Sequence, residues 1–216
     1  MRRMKRNAGL ILAAVLVAVV CASAQRGPRL LVLNKEDATF TGINPETAAV
    51  LATVPTGEGP HELVTSTDGK TAFASNYGTG PAPGHTISMI DIASGKELRR
   101  IDVAPLSRPH GLAFANGRLY FTAEAEKKVA RYDPAADKVD WQFETGQNAT
   151  HMVLPTKDAR TLYTSNISSD SISMIQDSGG TWNQTVIRSA RDRRGSTCRR
   201  TGASCGARTR ATAASR

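Results

Sequence analysis

Between residues 29 and 187 the apolar residues fall in short runs that often alternate with polar ones, and each run ends at Gly, Asn, Asp or Pro. Alternation with a period of two puts one face of a strand into a core and leaves the other outside, and turn residues at both ends limit each strand's length. ELVTS (62–66) alternates, Asp68-Gly69 offers the positive-φ residues of a tight hairpin, and KTAFASN (70–76) returns. Asn116-Gly117 does the same one residue shorter. ISMIDI (87–92) and ELRRIDV (97–103) form a second hairpin around Ala93-Ser94-Gly95-Lys96. No part of this span keeps a helical period, so the pattern predicts an all-β fold.

The runs also repeat. GPHELVTSTDGKTAFASN (59–76) returns as RPHGLAFANGRLYFTAE (108–124) and as ATHMVLPTKDARTLYTSN (149–166). Each leads to a second matching stretch, at 86–103, 128–144 and 171–187. His61, His110 and His151 mark the register, with steps of 49 and 41 residues. The longer step is explained by an insertion, Tyr77 to His85, whose GTGPAPG composition predicts an extended loop. Four strands in a unit of about 40 residues are the blade of a β-propeller. Ahead of the first full unit, LLVLN (30–34) and TFTGINPETAAVLATV (39–54) match the last three strands of a blade, without the innermost one. The expected domain is a partial propeller over 25–187, about three and a half four-stranded blades: three outer strands, then three blades.

GPHELVTSTDGKTAFASN, TISMIDIASGKE, TLYTSN and SISMI resemble the YVTN-type, YncE-like β-propeller repeat family, grouped with the quinoprotein amine dehydrogenase β-chain-like superfamily. The resemblance spans about residues 29–187. It implies an exported bacterial propeller and specifies fold better than function, because such propellers serve both as binding scaffolds and as enzymes.

Composition changes the picture only when divided by region. The chain carries 28 basic and 19 acidic residues, a formal +9. Four bases and no acid lie in residues 1–24, and nine arginines against Asp192 lie in 188–216, leaving 15 bases and 18 acids between them. The part that folds is therefore mildly acidic, which argues against a nucleic-acid partner. The cysteines, Cys21, Cys198 and Cys205, avoid the repeats, so no disulfide framework is available there.

MRRMKRN, the apolar run Ala8 to Val20, and Ala22-Ser23-Ala24 follow the order of a secretory signal peptide. Cleavage is expected after Ala24, giving a periplasmic or secreted protein with no remaining membrane span. The stretch 188–216 has no apolar period and reads as a disordered basic tail. Its residues are also those expected of out-of-frame sequence. With common Arg and Ser codons, the neighbouring frame permits Gly-Pro, Ser, Asp-Gly and Asn at the spacing of 56–76. The position matching His61 then falls at Arg194, 43 residues after His151. A single-base slip near 186–188 is the expectation.

His61, His110 and His151 share one register at the start of the innermost strand of successive blades, so blade symmetry brings them round the channel mouth. Imidazoles there suit an anionic ligand or a divalent metal, with Glu62 beside His61 as a further ligand. Glu124, read at the register of Asn76 and Asn166, could add a carboxylate. Asp91 and Asp133 are explained by turn chemistry, Asn76 and Asn166 by capping of strand ends, and Tyr132, Trp141 and Phe143 by packing between blades. The leading reading is an exported scaffold that binds a small molecule or a periplasmic protein at the channel face. The alternative is a metal-dependent lactonase-like hydrolase or a quinoprotein-like oxidoreductase. No nucleophile elbow, phosphate loop or dinucleotide fingerprint occurs.

Overall fold

A computed structural model describes residues 27–189, so the leader and nearly all of the basic tail lie outside the described residues. Those described form fifteen strands and no helix, and none of them belongs to a helix long and apolar enough to cross a membrane. The strands make four antiparallel sheets. The first has three strands, β1 (Leu30–Asn34), β2 (Thr39–Ile43) and β3 (Val50–Pro55). The second holds β4 (Pro60–Thr65), β5 (Thr71–Gly78), β6 (Pro83–Asp91) and β7 (Lys96–Asp102). The third holds β8 (Pro109–Ala115), β9 (Arg118–Ala123), β10 (Lys128–Asp133) and β11 (Lys138–Glu144). The fourth holds β12 (Thr150–Pro155), β13 (Thr161–Asn166), β14 (Ser171–Ser178) and β15 (Thr181–Arg188). Within each sheet the strands pair in chain order, and the first strands β4, β8 and β12 of the full blades lie side by side. This is the all-β, four-stranded-blade, incomplete propeller that the repeats predict.

Each blade is held to the next by the alternate residues of its strands. Phe40 and Val54 of the first sheet pack with Ala72 and Ile90 of the second. Phe73, Ile87 and Ile101 meet Leu112, Leu119 and Phe121 of the third. Tyr120 and Val129 in turn meet Val153, Leu162 and Ile175 of the fourth. Full burial of side chains this size stabilises by about 1.5–3 kcal/mol each. Tyr132 is buried in the cluster joining the second and third sheets. Trp141 and Phe143 lie at the next junction, where the Trp141 and Trp182 rings are 4.7 Å apart.

Two local expectations are corrected. The insertion after Tyr77 is not an extended loop. It lengthens a hairpin, because Gly78 pairs with Pro83 and the Thr79 amide donates to the Ala82 carbonyl at 2.8 Å. Of Asp68-Gly69 only the glycine has positive φ (68°), in the four residues between Ser66 and Thr71, whose amide and carbonyl bond at 2.8 Å, and the Asp68 carboxylate accepts from the Lys70 amide. Asn116 and Gly117, at 49° and 73°, form a true two-residue turn. That turn is two residues shorter, not one.

Candidate functional site

One backbone device builds the site three times. Gly59, Arg108 and Ala149 all adopt positive φ, and their carbonyls accept from the amides of Tyr77, Glu124 and Ile167 at 3.1, 3.2 and 3.1 Å. The pairing then slips between Pro60 and Leu63, Pro109 and Leu112, and Thr150 and Met152. At each slip an amide (Glu62, Gly111, Met152) donates to a hydroxyl of the neighbouring strand (Ser75, Thr122, Ser165) at 3.0, 2.9 and 3.3 Å. The residue just before that amide is a histidine every time. Such a slip re-aims a side chain out of the ladder, and it fixes His61, His110 and His151 in equivalent places.

The three imidazoles form a row. Ring centroids are 4.2 Å apart from His61 to His110 and 3.8 Å from His110 to His151, with tilts of 46° and 33°. His110, in the middle, is 2 % exposed, and its Nδ1 is buried without a hydrogen-bond partner. The side chains of His61 and His151 are 32 % and 28 % exposed, so a solute can reach both ends of the row. Glu62 stands 3.7 Å from His61 and is equally open.

The register of Glu124 is corrected. Because the Asn116-Gly117 turn is two residues shorter, Ala123 takes the place of Asn76 and Asn166, and Glu124 takes that of Tyr77 and Ile167. The shift carries Glu124 into the histidine row. Its Oε1 meets His151 Nδ1, and its Oε2 accepts from the Tyr77 hydroxyl at 2.5 Å. Tyr77, known from the sequence only as the start of an insertion, lies 5.4 Å edge-on from His110 and carries the Arg108 guanidinium 5.0 Å above its ring. Its only sequence signal is a place at the base of an insertion.

The electrostatics follow. Burial, then the neighbouring His151 and His61, push His110 down to about 4. Burial and Lys35 hold His61 below its ordinary value against the pull of Glu62. Burial works against ionisation of Glu124, but hydrogen bonds with His151 and Tyr77 outweigh it and keep the carboxyl below its usual range. Burial and the bond to Glu124 push the Tyr77 phenol up. At neutral pH His61 and His110 are thus neutral beside an ionised Glu124, a donor set suited to a metal cation or a hydrogen-bonding solute.

No protein-family model and no curated protein matches the chain by sequence. Solved structures do match. Hydrazine synthase of Kuenenia stuttgartiensis is similar at 19% identity and TM-score 0.63, over 74% of this chain and 46% of that one. A protein of unknown function from Desulfotomaculum acetoxidans is similar at 16% and 0.62, over 75% and 53%. U3-55K is similar at 15% and 0.60, over 74% and 48%. The chain spans about half the length of each of these structures. At such identities the likeness is one of fold, and the fold is β-propeller-like.

Proposed function

We propose that this chain belongs to an exported β-propeller that works as a binding scaffold, taking a small ligand on the imidazole row His61–His110–His151. One observation carries the reading: three separate innermost strands each deliver an imidazole to one place through the same backbone device. A histidine kept only for packing would have its ring nitrogens satisfied, whereas His110 Nδ1 is left without a partner. Lys35 and Arg108 add positive charge around the row, which favours a small anion. Export rests on the leader, and the mature protein should begin at Gln25, checked by N-terminal sequencing of protein recovered from periplasm and medium.

The binding test uses inorganic phosphate and oxalate as probes in a thermal-shift measurement. A rise in Tm of at least about 2 °C is expected, and it should vanish in the His61→Ala/His151→Ala double variant. No shift with either anion, or an equal shift in the variant, would remove the row from the function. Turnover of a lactone by the protein would replace the scaffold with the hydrolase alternative.

A further inference from the structure

The row joins two groups of ligating atoms, each lying within 4.8 Å of one another: His61, Glu62 and His110, and His110, Glu124 and His151. We infer that the second group, His110–Glu124–His151, is a site for one divalent transition-metal ion of the zinc class. This rests on the scaffold reading and deepens it, because an ion at one end of the row would give a small anion a charge to bind.

One observation separates this group from its neighbour, and two more, shared by both, favour a metal. First, its members are held in place. The Glu124 and His151 side chains are 11 % and 28 % exposed, and they already meet through Oε1 and Nδ1. The Tyr77 hydroxyl fixes the other carboxylate oxygen. Outer partners of this kind orient ligands and are worth about 10–100-fold in metal affinity. His61 and Glu62, by contrast, are adjacent residues a third exposed, and only a 3.7 Å approach relates them.

Second, His110 Nδ1 is a buried donor or acceptor with nothing to bond. A polar atom left so costs about 1–3 kcal/mol, which coordination through that nitrogen would recover. Third, the chemistry matches. Two imidazoles and one carboxylate are the donor set of open zinc sites, where a fourth position is left for water or a solute. Ligand atoms about 2.0–2.2 Å from a tetrahedral ion lie roughly 3.4 Å apart. The most distant pair needs to close by no more than about 1.4 Å, while Glu124 Oε1 and His151 Nδ1, already in contact, would part if both were ligands. Gly111 helps to fix the spacing, since the strand carrying His110 runs hard against the His151 carbonyl there.

The test is titration of the full 216-residue chain with Zn²⁺ by calorimetry and with Co²⁺ by visible absorption. One ion per chain is expected, with Co²⁺ bands in the range of a four-coordinate nitrogen and oxygen site. Glu124→Gln, which can still meet Tyr77, and His110→Ala should each weaken binding at least tenfold. His61→Ala and Glu62→Gln should change it less than threefold. A melting curve for each variant establishes that it is folded. Absence of stoichiometric binding overturns the inference, and so does a larger loss from His61→Ala or Glu62→Gln than from Glu124→Gln. If no metal binds but phosphate or oxalate still stabilises through the row, the metal inference alone falls. If neither binds, the scaffold reading falls with it.

Discussion

Protonating His110 would bury a positive charge between two other imidazoles, and this sets a pH dependence that a single residue should reveal. Its folded pKa, pushed down to about 4 by burial and then by His151 and His61, lies below the ordinary 6.5. Between those values the unfolded chain binds more protons than the folded one, so stability rises with pH across the window. The contribution is complete above about 6.5 and is lost as the pH falls toward 4. A lowering of that size corresponds to at most on the order of 3 kcal/mol. Urea denaturation of metal-free protein at pH 7.5 and 5 should show the loss, and His110→Phe, which keeps a ring in the stack, should flatten it. Equal slopes in the two proteins would place the dependence elsewhere. The neighbouring residue makes a second prediction. A Cβ at Gly111 would sit 2.6 Å from both the His151 carbonyl oxygen and the Met152 Cα, which are backbone atoms that cannot turn aside. Gly111→Ala should therefore force β8 from β12 and cost about 1–3 kcal/mol, the range of over-packed sites. It should also weaken whatever the row binds, measured as a lower Tm together with the lost thermal shift.

At the level of strands, the blades share a polar clasp that strand-end capping does not describe. Asn34 donates to the Thr39 and Thr41 hydroxyls, Asn76 to Thr86 and Ser88, and Asn166 to Ser171 and Ser173, each across to the next strand in the chain. In the third blade, Ala123 stands where the asparagine would be, and Lys128 and Ala130 stand where Thr86 and Ser88 do in the second. The donor and its acceptors are lost together, so that blade buries no orphan there. Asn166→Ala should cost about 1–3 kcal/mol, because the buried Thr164 hydroxyl loses its acceptor and Ser171 a donor, while Ser173 keeps the Gln184 amide at 2.9 Å. Adding Thr164→Val should recover part of it. A double variant as unstable as the sum of its parts would show that the Thr164 hydroxyl finds another partner. This clasp also shows what could be read from sequence. Period-two runs and turn residues located all fifteen strands' neighbourhoods, because hairpin chemistry is local. Asp91 and Asp133 do accept from turn amides, at 2.6 and 2.9 Å. The histidine register was legible for the same reason. Glu124 was misplaced because one two-residue turn hides a shift of a single position, and in a strand a single position changes the face. The meeting of Tyr77 with Glu124, 47 residues apart, has no local signature at all.

Across the whole arc, the blade faces can be compared position by position. Gly111, Tyr120 and Val129 of the third blade are buried against the fourth. The equivalent residues of the fourth blade are Met152, Tyr163 and Ile172, and all three are exposed, as are Leu154 and Ile187 on the same face. Strand pairing sets Leu154 beside Tyr163 and Ile172 beside Ile187, so the residues form one continuous apolar surface rather than scattered points. Monomeric proteins rarely expose apolar patches beyond a few hundred Å². In a propeller that exposure is normally removed because each blade covers the last and the ring closes. Among the described residues nothing covers this face. The 216-residue chain should therefore associate through it, with an apparent mass in sedimentation velocity that grows with concentration. Leu154→Lys and Ile172→Lys together should shift the distribution toward monomer while leaving the far-UV spectrum unchanged, because both side chains lie outside the packed clusters. Leu98→Lys is the control, since Leu98 is as exposed but lies on β7 of the second blade. It should leave the association as it was. If the wild-type chain sediments as a single monomer at all concentrations and melts cooperatively, the open face is not sticky. The blade-by-blade account of how this fold buries its surface would then be wrong.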